Sequence, residues 1–228
     1  MKWREIADDV VLMSFPWRTL GIDFRRNVTL LRLRDGRLVI HSTAPFTEKD
    51  IEKIRGFGEP AWLMDATLMH DTFAKEGRAA LPGLPYLAPE GFAEVSGITT
   101  GSLCPAPLDW AGEIDVMKID GLKKNEHVLF HRRSRTLVVA DLFFSFPPET
   151  RGWAHFFVRH FMRLPRLFGI SAFFRLMISD RTAFEQSVRT LLELDFEKLI
   201  VAHREPLVNE AKPRVEQALR DFGFSARG

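Results

Sequence analysis

The sequence predicts an α/β chain in which two mixed β-sheets pack face to face with helices on the outside. Two β-hairpin signals, at residues 27–43 and 126–146, lie far apart in the chain. Strand-then-helix units stand between and after them, an order that suits layered sheets flanked by helices. With 46% hydrophobic and 27% charged residues, the composition is that of a globular protein with enough apolar material for a sizeable core.

Val10–Phe15 reads as the first strand. In the run from Asn27 to Thr43, two β-rich segments flank Asp35-Gly36, the dipeptide favoured in a type I′ turn. The alternation Leu31/Arg32/Leu33/Arg34 predicts one buried and one wet face. A short helix follows, with Thr47 as N-cap, Asp50 three residues on, and Gly56 or Gly58 as its stop. Residues 61–67 read as a strand, and 70–81 as a helix stopped by Pro82, Gly83 and Pro85. Residues 85–95 suit a strand and a turn, and Ile114–Ile119 a further strand. The second hairpin turns at 132–135, and its strand Thr136–Ala140 is apolar enough to be central. From Pro147 to Leu194 the chain reads as helical, broken at Pro165 and Gly169. A strand ending near Ala202 and an amphipathic helix complete it.

A length of 228 residues suits one domain, 1–228, carrying a helical Arg/Phe-rich insertion at about 147–190. The formal net charge of +2 gives no support to nucleic-acid binding. Cys104 is the single cysteine, which excludes an intramolecular disulfide and a multi-cysteine zinc site. No run of 18 apolar residues occurs, and the N-terminus lacks the pattern of a signal peptide. These features lead to the expectation of a cytoplasmic protein.

Three metal- or proton-competent residues each follow an apolar strand run: His70, Asp141 and His203. Groups at strand C-terminal ends converge at one sheet edge, where sites are commonly built. Locally, His70 with Asp71 is also a plausible helix start, Asp141 a strand-end cap and His203 part of a solvated loop. His41 reads as a core histidine bonded to backbone. His127 and His131 share one strand face and could meet water.

Taken together, these segments resemble the metallo-β-lactamase superfamily over roughly residues 8–220. The 26–43 hairpin is similar to the family's opening hairpin. Residues 63–77 lie where the family carries H-x-H-x-D-H. The 128–146 hairpin resembles the one delivering the metal-bridging aspartate, here Asp141, and residues 195–207 resemble the last strand, with His203 as the final ligand. The resemblance implies an αββα four-layer sandwich and a divalent-metal hydrolase. The motif is degenerate. With His70 in its last place, Asp65 and Thr67 replace the first site's two histidines and Met69 replaces the aspartate. No histidine occurs between 71 and 126 to supply the third. The opening strand ends in His41-Ser42-Thr43 rather than Asp-Thr-Gly.

The resemblance therefore implies at most one metal, zinc, iron or manganese, held by His70, Asp141 and His203 with Asp65 or Asp71 as a fourth ligand. Asp141 or Asp71 would be the general base acting on an unidentified small-molecule substrate. The competing reading is a non-enzymatic binding or scaffold protein that kept the fold and lost the metal. Residues 151–181 hold six arginines and one acid, Asp180. His155, Arg159, Arg163 and Arg166 are spaced to share a helix face. Three uses stay open for 151–178: a cap over the site, a homodimer surface, or contact with an anionic membrane surface.

Overall fold

The structure, a computed structural model, describes residues 1–224. In the first half lie β1 (Lys2–Ala7), β2 (Val10–Phe15), a small hairpin of β3 (Arg18–Thr19) and β4 (Ile22–Asp23), β5 (Arg26–Arg32), β6 (Arg37–His41), β7 (Glu59–Met64), β8 (Tyr86–Ala88) and β9 (Gly101–Ser102). All but the small hairpin form a seven-stranded mixed sheet in the order β1-β2-β5-β6-β7-β8-β9. The second sheet has four strands, β10 (Ile114–Ile119), β11 (Glu126–His131), β12 (Thr136–Val138) and β15 (Lys198–Ile200). Between β12 and β15, the short β13 (Phe144–Ser145) and β14 (Phe168–Gly169) pair with each other. Helices α1 (Glu48–Phe57), α2 (Ala74–Ala80) and α3 (Phe92–Ser96) belong to the first half. The second half carries α4 (Gly152–His160), α5 (Ala172–Arg175), α6 (Arg181–Glu193) and α7 (Ala211–Phe222).

Strand alternation builds the layers, because successive side chains point to opposite faces. Val11, Met13, Val28, Leu30 and Ile40 pack on Ile54 of α1, Ala74 at the start of α2 and Phe92 of α3. Their neighbours Val10, Leu12, Leu31 and Val39 pack against Leu129, Val138 and Ile200 of the second sheet. On that sheet's far side, Val128, Phe130, Leu137 and Leu199 meet Phe184, Val188 and Leu191 of α6 and Val215 and Leu219 of α7. The result is the four-layer αββα sandwich. Leu31 and Leu33 thus face the second sheet while Val28 and Leu30 face helices, so the strand has no fully wet face.

Several local expectations change. The 33–37 turn is closed by the Gly36 N–H donating to the Leu33 carbonyl at 3.0 Å. Only Gly36 there has positive φ, at 87°, whereas type I′ needs two such residues. α1 matches its signals, with a full capping box between Thr47 and Asp50. His127 and His131 are buried rather than wet, and His131 Nδ1 lies 2.7 Å from Ser134 Oγ. His41 is buried, but neither ring nitrogen has a hydrogen-bond partner among the described residues. Residues 147–194 are three separate helices. α4 ends at His160, so Arg163 and Arg166 do not continue the face of His155 and Arg159. Under α4, a small core of Phe157, Val158 and Met162 meets Ile22 and Phe24 of the β3–β4 region. No helix among the described residues is long and apolar enough to cross a membrane.

Candidate metal centre

β12 and β15 are parallel neighbours, so the chain leaves both at the same sheet edge and carries Asp141 and His203 side by side. The loop after β7 brings His70 to them. One ligand atom from each of His70, Asp141 and His203 lies within 4.8 Å of the others. His70 Nε2 stands 3.3 Å from Asp141 Oδ2, and His203 Nε2 stands 3.3 Å from Asp141 Oδ1. The three residues are 2%, 4% and 5% exposed.

Residues that sequence reasoning missed hold this group in place. Arg26 and Asn27 are adjacent on β5. Arg26 Nη2 donates to the His70 carbonyl at 2.8 Å, while Asn27 Nδ2 donates to the carbonyls of Val201 and Arg204, both at 2.9 Å. One dipeptide thus fixes the backbone at His70 and on both sides of His203. Glu126, buried at the start of β11, accepts the Leu142 N–H at 2.8 Å and steadies the turn that carries Asp141. The His127 N–H donates to the Ala66 carbonyl at 2.7 Å and ties the 65–70 loop to the second sheet. Gly77 lets α2 approach the same region, since a Cβ there would fall 2.5 Å from Thr43 Cβ.

The protonation logic favours a cation among the three. His203 Nδ1 lies 2.8 Å from the Arg25 carbonyl, which can only accept, so Nδ1 carries the hydrogen. That leaves Nε2 as the nitrogen facing Asp141. Burial, reinforced by the charge of Arg26, lowers His70 to about 4, which leaves that ring neutral near pH 7. Neither of its nitrogens makes a hydrogen bond among the described residues. Burial alone would raise the Asp141 carboxyl, but the positive charge that His70 or His203 carries when protonated outweighs it and holds the carboxyl far below the usual carboxylate range. A ring nitrogen facing a buried carboxylate at 3.3 Å needs a proton or a metal between them. Two ligand atoms on one tetrahedral zinc, each at about 2.0–2.1 Å, stand about 3.3 Å apart. The donor set and its spacing fit a single metal ion.

The other expected positions go elsewhere. Asp65, anticipated as a fourth ligand, is fully buried, accepts a short hydrogen bond from the Tyr86 hydroxyl and lies 3.9 Å from Arg26 Nη2. Burial raises its carboxyl to about 7 against the opposing pull of Arg26 and Tyr86. Thr67 is buried and bridges to Glu126. Asp71 heads a 3-10 turn (Asp71–Phe73), is only partly buried, and is not one of the three clustered residues. Where the resemblance puts the first metal's histidines, the chain therefore carries Asp65 and Thr67, and the cation beside Asp65 is a guanidinium.

Above the three residues opens a cavity of about 370 Å³. Its floor is His70, Asp141, His203 and Arg26, and its walls include Trp17, Phe24, Phe144, Phe157, Phe173 and Phe174. Phe144 and Trp17 stack on the His203 ring with centroids 5.7 and 5.2 Å away. The 152–177 segment thus forms part of a cap over the site.

Of solved protein chains, 197 match this structure. The DIM-1 metallo-β-lactamase superimposes with a TM-score of 0.63 and 15% identity, over 95% of this chain and 97% of its own. The chain has the metallo-β-lactamase fold. An Erythrobacter litoralis enzyme of this fold matches at TM-score 0.63 and 14% identity over 96% of both chains. The mono-zinc form of FIM-1 from Pseudomonas aeruginosa matches at 0.61 and 12% over 99% and 93%. No family model and no curated protein matches the sequence.

The buried titratable groups set a pH dependence. Burial lowers His41 to about 3, and burial lowers His70 and His127 each to about 4. Burial raises Asp65 to about 7 and Glu126 well above the ordinary glutamate value, the latter helped by Asp141. Burial lowers His131 as well. As pH falls below about 6.5 the unfolded chain takes up protons at His41, His70, His127 and His131 that the fold resists, while the fold holds protons at Asp65 and Glu126 that the unfolded chain has released. The four histidines outnumber the two carboxyls, so stability of the metal-free protein should fall as pH drops from about 6 to 5, each uncompensated histidine contributing about 1.4 kcal/mol per pH unit. Denaturant melts at several pH values test this, and His41→Leu should make the slope shallower.

Proposed function

We propose that the chain is a mononuclear metal-dependent hydrolase acting on the ester or amide of an apolar acyl or aryl group. The observation that carries this reading is the aromatic-walled cavity that ends on His70, Asp141 and His203. That a metallo-β-lactamase of the same fold exists in a mono-zinc form supports one metal being enough for such a site. A bound divalent ion would supply an activated water near neutral pH and polarise a carbonyl oxygen. His70 and His203 would bind it through Nε2, and Asp141 would contribute its carboxylate.

The remaining steps belong to the chain itself. The walls of Phe24, Phe144, Phe157 and Phe174 exclude water and hold the apolar part of the substrate. Arg26 borders the cavity with a fixed positive charge, available to a carbonyl oxygen as negative charge develops on it. Asp65 and Tyr86 hold that guanidinium from behind. Asp141, the carboxylate facing both histidines, would orient the attacking water by accepting a hydrogen bond from it.

A p-nitrophenyl ester series of increasing acyl length tests this reading. Turnover should rise from acetyl to medium chains, disappear with chelator and return with zinc or manganese. Metal-loaded protein that cleaves no member of the series would count against it. The second reading, a scaffold that kept the fold and lost the chemistry, is favoured by Asp65 and Thr67 standing in first-site positions. It predicts a melting temperature indifferent to added metal, whereas the enzyme reading predicts a rise that His203→Ala removes.

A further inference from the structure

The rim of the cavity carries a feature that hydrolysis does not require. Trp153, Phe156, Phe161 and Phe173 are 52%, 48%, 50% and 49% exposed, and Leu20 and Leu176 are each 64% exposed. All of these but Leu176 form a continuous surface. Trp153 stacks on Phe156 at 5.9 Å and lies 6.3 Å from Phe161, while Phe157 joins Phe161 at 5.4 Å and Phe173 at 6.2 Å. The Trp153 indole N–H donates to the Leu20 carbonyl at 2.9 Å, which anchors the tip of the β3–β4 hairpin to α4. Phe157, Phe173 and Leu20 also line the cavity, so the patch runs into its mouth. A patch of this kind on a folded surface marks an interaction site.

Charge says what covers it. No acidic residue occurs in 151–179, and the one acid of the β3–β4 hairpin, Asp23, is engaged by Arg25 and Arg204. Arg18, Arg159 and Arg163 are exposed, and their side chains have no hydrogen bond or ion pair among the described residues. Arg159 lies three residues after Phe156 on α4, beside the Trp153–Phe156–His160 stripe. Arginines without partners around exposed tryptophan and phenylalanine suit a layered partner, with an apolar interior under an anionic surface. Glu149 and Glu205 share a groove with Arg159, and Asp221 one with Arg163, but none of these carboxylates pairs with those two arginines, which leaves their charge for lipid phosphates.

We propose that the rim formed by Leu20, Trp153, Phe156, Phe161 and Phe173, with Arg18, Arg159 and Arg163, docks the protein on an anionic lipid bilayer. Trp153 and Phe156 enter the headgroup–acyl boundary, and the arginines meet lipid phosphates. The cavity mouth then opens toward the acyl layer. Docking does not depend on the hydrolytic reading and is read by binding alone.

Flotation of the full chain with phosphatidylcholine vesicles, with or without phosphatidylglycerol, tests the proposal. Wild type should float with the anionic vesicles at low salt and come off at about 1 M salt, where the Debye length falls to about 3 Å. Arg159→Gln with Arg163→Gln should weaken partitioning roughly 30-fold, at about fivefold per arginine near the surface. Trp153→Ser with Phe156→Ser should lower it at least about tenfold. Circular dichroism melts check that these surface variants remain folded. Absence of flotation at low salt overturns the proposal, as does wild-type partitioning by a folded variant. So does a wild-type dimer in sedimentation velocity that Trp153→Ser with Phe156→Ser dissociates, without vesicle binding, because a second copy would then own the patch.

Discussion

Asp141→Asn is expected to lower affinity for zinc or manganese by more than about 100-fold and to abolish hydrolysis, with little change in fold. Asn keeps the shape but removes the charge that faces both histidines at 3.3 Å. Loss of a group in the outer shell of a metal already costs about 10–100-fold in affinity, and a direct ligand contributes more. The metal-dependent stabilisation should vanish with it. For wild type at 1,000 times Kd this stabilisation is about 4 kcal/mol. Titration calorimetry with zinc and melts with and without metal read both quantities. The metal-free variant should stay folded, because the amide no longer leaves a buried charge to be compensated. Wild-type affinity in Asp141→Asn would remove Asp141 from the ligand set.

The second large effect is expected from Arg26→Met. Arg26 is 3% exposed, and it is the cation beside Asp65 and the donor to the carbonyls of Thr43 and His70. Its removal leaves a buried carboxylate with less compensation and two carbonyls without their donor, a loss of about 3–5 kcal/mol. At about 2–4 °C per kcal/mol for a chain of this size, the melting temperature should drop by about 6–20 °C. Arg26→Met combined with Asp65→Leu should recover much of that loss, because replacing both partners is far cheaper than orphaning one. A double-mutant cycle by denaturant melts measures the coupling. Additive losses would mean that Arg26 acts through the Thr43 and His70 carbonyls and not through Asp65.

The parts of this molecule that the sequence announces are those encoded locally. The α1 cap lies within four residues, Thr47 to Asp50, and both hairpins place their strands either side of a short turn. His70, Asp141 and His203 were legible because each follows an apolar strand, and the family resemblance put the three strands in order. The supports of the site were not legible. Arg26 reaches a partner 44 residues away and Asn27 one 174 residues away, and no spacing rule links them. The edge strand β1 was missed because KWREIA is mostly exposed and carries almost no buried face. The arginine face expected over 155–166 fails because Arg163 takes a left-handed φ of 56° and Pro165 follows, which ends the helical path. Asp65 looked like a ligand because its position in the motif is a ligand's. Only the fold reveals that Arg26 and Tyr86 reach it first.

The proposed function rests on one ion held between His70, Asp141 and His203. Crystals of protein purified without chelator, measured at the zinc, iron and manganese absorption edges, test it most directly. A single anomalous peak is expected, about 2.0–2.2 Å from Nε2 of His70, Nε2 of His203 and an Asp141 carboxylate oxygen. A peak at Asp65, or no peak after the protein has been reloaded with each metal, would contradict it.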